Sequence, residues 1–418
     1  MLRFTDNIIA QMTRECNLHC PHCYEGHDPY WVGKKIDHEK FKQILDTYIY
    51  QRCILGQNPR ALVKFHFHGG EVLLLDPEEL KKDILYLEKR KKSFPGISFL
   101  IQSNGVNLTE DLAEFFVENN IRFGCSFDGY KSSRMSEDEC HKLVDRLRYF
   151  HEKIGLRIGI LGVLGSDNIK YWMKDARTLE DFSEGFGVNI MCSMDERDIP
   201  TQDELWDYWI EPTLQSWLTD KPFMERTIMG YIQRILDQII FGYIPLGEKT
   251  GCFDRLCGFG SNMTSINPDL KLGTCDKYLS GAPFTKTKEI FTDLTQLDFL
   301  GAQQMNRLFQ YYKGITEESN KKGCSFCPMK WICSGECQSY SLSKFGEIKL
   351  NDDLCKGYKR IYEFISKNWV ELARKHPREL PGGEHDVTCY AREILEKNNM
   401  KLSCCDGKTY QVIEKEVL

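Results

Sequence analysis

An α/β chain is predicted, in which a partial (β/α)6 TIM-like barrel is followed by a small irregular cysteine-rich domain and then a helical tail. Three observations predict it. Between Asn7 and Met194, short apolar strands alternate with amphipathic helices six times; from Gly251 to Cys355 that periodicity fades and Gly, Pro and Cys take over; from Lys356 a helical pattern gives way to a polar end broken at Pro381-Gly382-Gly383. The expected domain bounds are 1–200 for the barrel, 201–250 for a helical bridge, 251–356 for the cysteine-rich unit and 357–418 for the helical and polar extension.

The strands expected within the barrel begin at Ile8, Val63, Ser98, Arg122, Arg157 and Val188, each running about five residues. Helical spacing of apolar residues fills the gaps over 37–50, 77–92, 110–119 and 137–154. In a parallel barrel the reactive residues gather where strands end and βα loops begin. The bridge is rich in Trp and Tyr, with Asp203, Trp206, Trp209 and Trp217 among its marks.

Bulk properties exclude several classes. A formal charge of -6 gives no basic footprint for nucleic acid. The N-terminus lacks the basic start and apolar run of a signal peptide, and the most apolar stretch, Ile235 to Ile244, is too short to span a bilayer. A cytoplasmic location follows as the expectation, with no membrane partner. The 18 cysteines then read as metal or redox residues rather than disulfides, because cytosolic thiols are kept reduced.

Cys16, Cys20 and Cys23 follow the first strand in the run Cys16-Asn17-Leu18-His19-Cys20-Pro21-His22-Cys23. Three thiolates at this spacing can wrap a 4Fe-4S cube and leave its fourth iron open to a substrate. The alternative is a zinc site, which would recruit His19 or His22 as a fourth ligand. A second array reads Cys252, Cys257, Cys275, then Cys324, Cys327, Cys333, Cys337, and finally Cys355. Eight thiolates suffice to close two 4Fe-4S clusters, and zinc is again the alternative for the stretch from Cys324 to Cys337.

The first loop resembles that of radical S-adenosylmethionine (SAM) enzymes, and other strand ends extend the resemblance. Gly69-Gly70-Glu71 ends the second strand, Ser103-Asn104-Gly105 the third and Ser126-Phe127-Asp128-Gly129 the fourth, with Arg134 beyond it; Leu161 to Asn168 after the fifth strand also matches. What the resemblance implies is a cluster chelating SAM, whose cleavage yields a 5'-deoxyadenosyl radical that takes a hydrogen atom from substrate. His22, Tyr24, Gly69, Gly70, Glu71, Ser103, Ser126, Asp128 and Arg134 are the cofactor-binding residues it implies. His22 departs from the pattern, which commonly has Tyr or Phe there, and Tyr24 could share its contact. His66 and His68 alternate on one face of the second strand and are read as structural or cavity-lining.

The second array resembles the SPASM domain of peptide- and protein-modifying members. By that resemblance Cys252, Cys257, Cys275 and Cys337 hold an inner auxiliary cluster, and Cys324, Cys327, Cys333 and Cys355 an outer one, making three 4Fe-4S clusters in all. The family usually has Gly five residues before the ligand at Cys275; Leu270 stands there, and a shifted turn near Gly273 is expected. Asp276, following Cys275, resembles the base of anaerobic sulfatase-maturing enzymes, with Asp195 and Glu196 as substitutes and Cys192 and Tyr278 as lining residues.

The function this implies is modification of a side chain in a peptide or small protein, by a thioether or carbon-carbon cross-link or by oxidation. Alternatives are formylglycine formation on a sulfatase, dehydrogenation or epimerisation of a small molecule, and a non-catalytic iron-sulfur or zinc electron carrier. The implied partners are the substrate, a flavodoxin- or ferredoxin-type electron donor and, for a ribosomal peptide, a separate leader-binding protein, the bridge or the tail after Lys356.

Overall fold

The structure is a computed structural model that describes residues 7–23, 25, 29–54, 58–60, 62–191, 196–242, 263–273, 324–331, 333, 352–379, 387–404 and 409–415. Six parallel strands lie in chain order: β1 (Asn7–Thr13), β2 (Val63–Gly69), β3 (Ile97–Ser103), β4 (Arg122–Ser126), β5 (Ile158–Leu164) and β6 (Ser183–Ile190). Helices α1 (His38–Ile54), α2 (Pro77–Lys91), α3 (Glu110–Glu118), α4 (Glu137–Ile154) and α5 (Ile169–Arg177) cross between them. This is the expected α/β fold.

Local chemistry sets the helix ends. Asp76 caps α2 by accepting from the amides of Glu78 and Glu79, with Pro77 opening the helix. Ser136 and Glu139 form a reciprocal capping box at the start of α4, and Gly155 closes that helix at φ 75°.

Strand alternation divides the work between two faces. Along β2, Phe65 and Phe67 are buried against the helices, whereas Lys64, His66 and His68 are only half-buried on the other face. β3 and β5 repeat the pattern, so that Gln102, Leu161 and Val163 share the inner face with His68. Burying each large apolar side chain contributes roughly 1.5–3 kcal/mol, and the outer face therefore holds the sheet while the inner face remains available for chemistry.

Two features extend the predicted barrel. β7 (Met263–Ile266) pairs parallel with β1 on the side opposite β2, and β8 (Leu272–Gly273) returns antiparallel, giving an eight-stranded sheet. Lys40 on α1 donates to the Pro268 carbonyl at 3.1 Å and ties that hairpin to the barrel. The bridge contains α6 (Gln202–Leu205), a π-helical turn over Trp206–Ile210 and α7 (Glu211–Ser216), followed by α8 (Arg226–Phe241).

The long helix α9 (Asp352–Lys375) packs on α8; Arg360 reaches Asp203 at 2.9 Å and lies 4.2 Å over the Trp206 ring. The tail continues with α10 (Cys389–Lys397) and a small antiparallel sheet in the order β10 (Met400–Cys404), β11 (Thr409–Glu414), β9 (Arg378–Glu379). Thr388 anchors the tail by donating to the carbonyls of Ile239 and Ile240. Among the described residues, no helix is long and apolar enough to cross a membrane.

Candidate functional site

The end of β1 and the end of β2 are joined before either reaches a ligand. Gly70 N–H donates to Thr13 O at 2.8 Å and Glu71 N–H to Glu15 O at 2.7 Å, which docks the Gly69-Gly70-Glu71 segment on the entrance to the cysteine loop. Only glycine fits. A Cβ on Gly69 would stand 1.9 Å from Thr13 O and one on Gly70 2.1 Å from Glu15 O, and Gly69 has φ +136°.

Glu71 is 1 % exposed and turns its carboxylate into the protein, accepting from Ser103 Oγ (2.7 Å), Asn104 N (2.7 Å) and Leu73 N (2.8 Å). Burial pushes its pKa up, against the pull of these donors and of Arg134. Asn104, tied to Glu71, donates through Nδ2 to Asn17 Oδ1 at 2.7 Å inside the cysteine loop. The third strand end thus reaches the loop through Asn104.

Asp128 does the same for the fourth strand end. Its side chain is wholly buried; it accepts from Arg134 Nε at 2.7 Å and from Val163 N at 2.7 Å, and its Oδ2 lies 3.3 Å from His22 Nε2, at ion-pair distance. Burial would raise its pKa, but the Arg134 guanidinium and His22 prevail and hold it below the usual carboxylate range. Arg134 Nη1 in turn approaches Cys20 Sγ at 3.9 Å.

The three thiols border a cavity of about 1020 Å³ open to solvent, together with His22, His68, Gly69, Gly70, Gln102, Ser103, Ser126, Arg134, Leu161 and Val163. The candidate cofactor residues therefore separate into two sets. His22, Gly69, Gly70, Ser103, Ser126 and Arg134 face the cavity; Glu71 and Asp128 stand behind it and hold the residues that do. His68 lines the cavity, and His66 shares its strand face but is not part of the lining.

The donor set fits a thiolate-bound cluster. Leu18 N–H donates to Cys16 Sγ at 3.4 Å, the Glu25 amide donates to the Cys23 sulfur, and the Arg134 cation stands beside Cys20, so each sulfur already has a partner suited to negative charge. Burial raises all three thiol pKa values, that of Cys23 to about 11, so ligation must displace protons. Among the described residues, no three His, Cys, Asp or Glu side chains converge on a single-ion point; the thiols ring the cavity instead.

Part of the second array is described. Cys324 opens a 3-10 turn over Cys324–Phe326, Cys327 follows it with its N–H on Cys324 O at 3.1 Å, Cys333 N–H donates to Met329 O at 2.7 Å, and Cys355 lies in the first turn of α9. Met329, 1 % exposed, pins this run to the core, and Gln238 of α8 donates to Pro328 O at 3.3 Å. Cys252, Cys257, Cys275, Cys337, Asp276, Tyr24, Cys192, Asp195 and Tyr278 lie outside the described residues; Glu196 is placed in the short turn Glu196–Asp198.

Leu270 corrects one expectation. The turn has not moved toward Gly273: Leu270 itself adopts φ 63° in the β7–β8 connection, with its N–H on Asn267 O at 2.9 Å. The backbone keeps the left-handed shape that glycine would take freely, and a leucine bears the strain of about 1–2 kcal/mol.

Sequence reasoning missed Gln11, Arg14, Asn17 and Glu25, all of which support the loop. A cation and a carboxylate flanking the cysteine run were the available signal for Arg14 and Glu25.

Comparison with known proteins agrees with this geometry. The Radical SAM superfamily profile matches residues 10–179. The chain is 24% identical over 388 residues to a serine-type anaerobic sulfatase-maturating enzyme of Bacteroides thetaiotaomicron, covering 84% of this chain and 87% of that protein. It is also 24% identical over 398 residues to a cysteine-type anaerobic sulfatase-maturating enzyme of Clostridium perfringens strain 13, covering 88% and 97%. Among solved structures, native anSMEcpe with bound AdoMet superposes with a TM-score of 0.63 at 19% identity, over 88% of this chain and 98% of that one. Streptococcus suis SuiB bound to its precursor peptide SuiA gives 0.54 at 16% identity, over 84% and 76%.

Proposed function

Residues 10–179 being a radical SAM domain, we propose that the protein is a SAM-cleaving enzyme that modifies a side chain of a peptide or small protein. The observation that carries this reading is the junction of the Cys16–Cys20–Cys23 loop with Gly69-Gly70 at one open cavity, backed by Arg134. Relatives that mature sulfatases, and a structural neighbour bound to a precursor peptide, support the substrate class.

In this reading Cys16, Cys20 and Cys23 hold a 4Fe-4S cluster with one open iron. When bound, that cluster and SAM supply a 5'-deoxyadenosyl radical that abstracts a hydrogen atom from the substrate. The chain's own residues supply position. Gly69 and Gly70 leave room for the methionine end of SAM, Ser103, Ser126 and His22 offer polar atoms around it, and Arg134 presents a fixed cation whose orientation Asp128 maintains. Leu161 and Val163 give the far wall an apolar surface that shields reactive intermediates from water. Two auxiliary clusters on the second cysteine array would accept the electron lost by an oxidised substrate, and Asp276 would take its proton. A one-electron donor of the flavodoxin or ferredoxin type completes the cycle.

The reaction is a cross-link or an oxidation. The two sulfatase-maturating relatives favour oxidation of Ser or Cys as the second specific reading. Both are decided by one anaerobic assay, in which reduced protein is incubated with SAM and either a sulfatase-derived Ser or Cys peptide or the short Cys-rich peptides encoded beside it. Deoxyadenosine with a mass loss of about two hydrogens supports the proposal and identifies the substrate; no deoxyadenosine under strong reductant overturns it.

A further inference from the structure

Arg14 stands two residues before the first cysteine of the loop and Glu25 two residues after the third. Their side chains, 1% and 4% exposed, meet with Arg14 Nε 3.0 Å from Glu25 Oε2. Arg14 Nη2 also donates to the Glu25 carbonyl at 2.8 Å, Gln11 Nε2 from β1 donates to Glu25 Oε1 at 2.5 Å, and the Trp31 ring covers the guanidinium with its centroid 4.5 Å away. Taking two charges out of water is offset only when the geometry is good and the remaining hydrogen-bonding capacity is used. Here a side-chain amide, a backbone carbonyl and an aromatic face all contribute to that end.

The same residue serves the third sulfur. The Glu25 backbone N–H donates to Cys23, so fixing the Glu25 side chain also fixes the amide that faces this thiol. The geometry points to a clip: Gln11, Arg14 and Glu25 join the two ends of the cysteine loop and hold the Glu25 amide on the Cys23 sulfur, which sets how completely the loop loads its cluster and at what potential that cluster is reduced. This rests on the reading that the trio holds a cluster. An N–H donor on a ligand sulfur stabilises the more negative, reduced form, so its loss lowers the reduction potential. All three residues act through Cys23 and are positioning residues.

The test uses full-length reconstituted protein. The cluster with an open iron is the one whose electron paramagnetic resonance signal responds to SAM, so the SAM-difference spectrum followed through a redox titration isolates it from the auxiliary clusters. Glu25→Gln keeps the shape and removes the charge; Arg14→Lys keeps the charge and removes the two-point contact. Asp83→Asn is the control, because it disturbs another buried contact, His38 Nδ1 to Asp83 Oδ1 at 2.6 Å between α1 and α2.

Both clip variants are expected to show about a tenfold smaller reduced fraction at a fixed potential near the parent midpoint, equivalent to a shift of about 59 mV for one electron, and a lower iron content. Asp83→Asn is expected to match the parent. Unchanged midpoints and iron in both clip variants would overturn the clip. An equal shift in Asp83→Asn would also overturn it, by tracing the effect to general stability. A parent with no SAM-responsive signal would remove the cluster reading itself, and the clip with it.

Discussion

The two cysteine runs are built in different ways. The loop from Cys16 to Cys23 is held by residues far away in sequence: Gly70 and Glu71 from β2, Asn104 from β3, Asp128 and Arg134 from β4. The run from Cys324 to Cys333 is shaped by local turns, with Cys327 N–H on Cys324 O and Cys333 N–H on Met329 O, and it rests on α8 and α9. The first loop borrows its form from a sheet that stands by itself. The second takes its internal form from short-range contacts and is suited to being completed by ligation, as small metal domains are.

This difference predicts different responses to the loss of iron ligands. Replacing Cys16, Cys20 and Cys23 together by Ala should abolish deoxyadenosine formation while circular dichroism remains that of the parent and the C-terminal iron, about eight atoms for two 4Fe-4S clusters, is retained. Loss of all iron, or collapse of the barrel, would show that the two regions do not depend on iron in the way described.

The next largest effect concerns the network behind the cavity. Asp128→Asn leaves Arg134 buried beside a neutral amide, and breaking such a pair costs about 3–5 kcal/mol, measurable by denaturant unfolding. Because Asp128 is held below the ordinary carboxylate value of about 3.9, its contribution to stability is present above that pH and is lost as pH falls through its lower folded value. The parent should therefore lose stability on acidification below about pH 4 more steeply than Asp128→Asn. Parallel acid profiles would show that the pair does not stabilise the strand ends.

The smallest effect is expected at the hinge between the two regions. Leu270→Gly releases left-handed strain but forfeits the packing of a side chain that touches the core. The net change in unfolding free energy should be under about 1 kcal/mol, against the 2–5 kcal/mol typical of truncating a buried Leu. A larger loss would show that packing, rather than backbone shape, is what this position contributes.

Much of the barrel was legible because alternation and helical spacing are local signals. β4 and α4 begin and end where the sequence predicts, at Arg122–Ser126 and Glu137–Ile154. β6 begins earlier than expected, at Ser183, since Ser183-Glu184-Gly185 reads as a turn; the register shift at Ile158/Gly159 and Gly185 at φ +135° let the strand absorb it. β7 was hidden because four residues carry little periodicity and their partner, β1, lies some 250 residues away. The tail's three strands are short and polar, so pattern alone showed only its helices.

At the site, the cysteines and the glycine pair were legible because their chemistry leaves few alternatives. What the sequence could not show was direction. Glu71 and Asp128 share strand ends with the cavity residues, yet each turns its carboxylate inward toward partners that only the fold brings near. Arg14 and Glu25 were hidden for the same reason, because their pairing closes a loop rather than following a period.

The central claim is that the Cys16–Cys20–Cys23 loop leaves one iron free to bind SAM, and Mössbauer spectroscopy of the 57Fe-reconstituted protein tests it most directly. Adding SAM should change the parameters of one iron in the N-terminal cluster and leave the others as they were. A spectrum indifferent to SAM, with zinc in the loop instead of iron, would contradict the account.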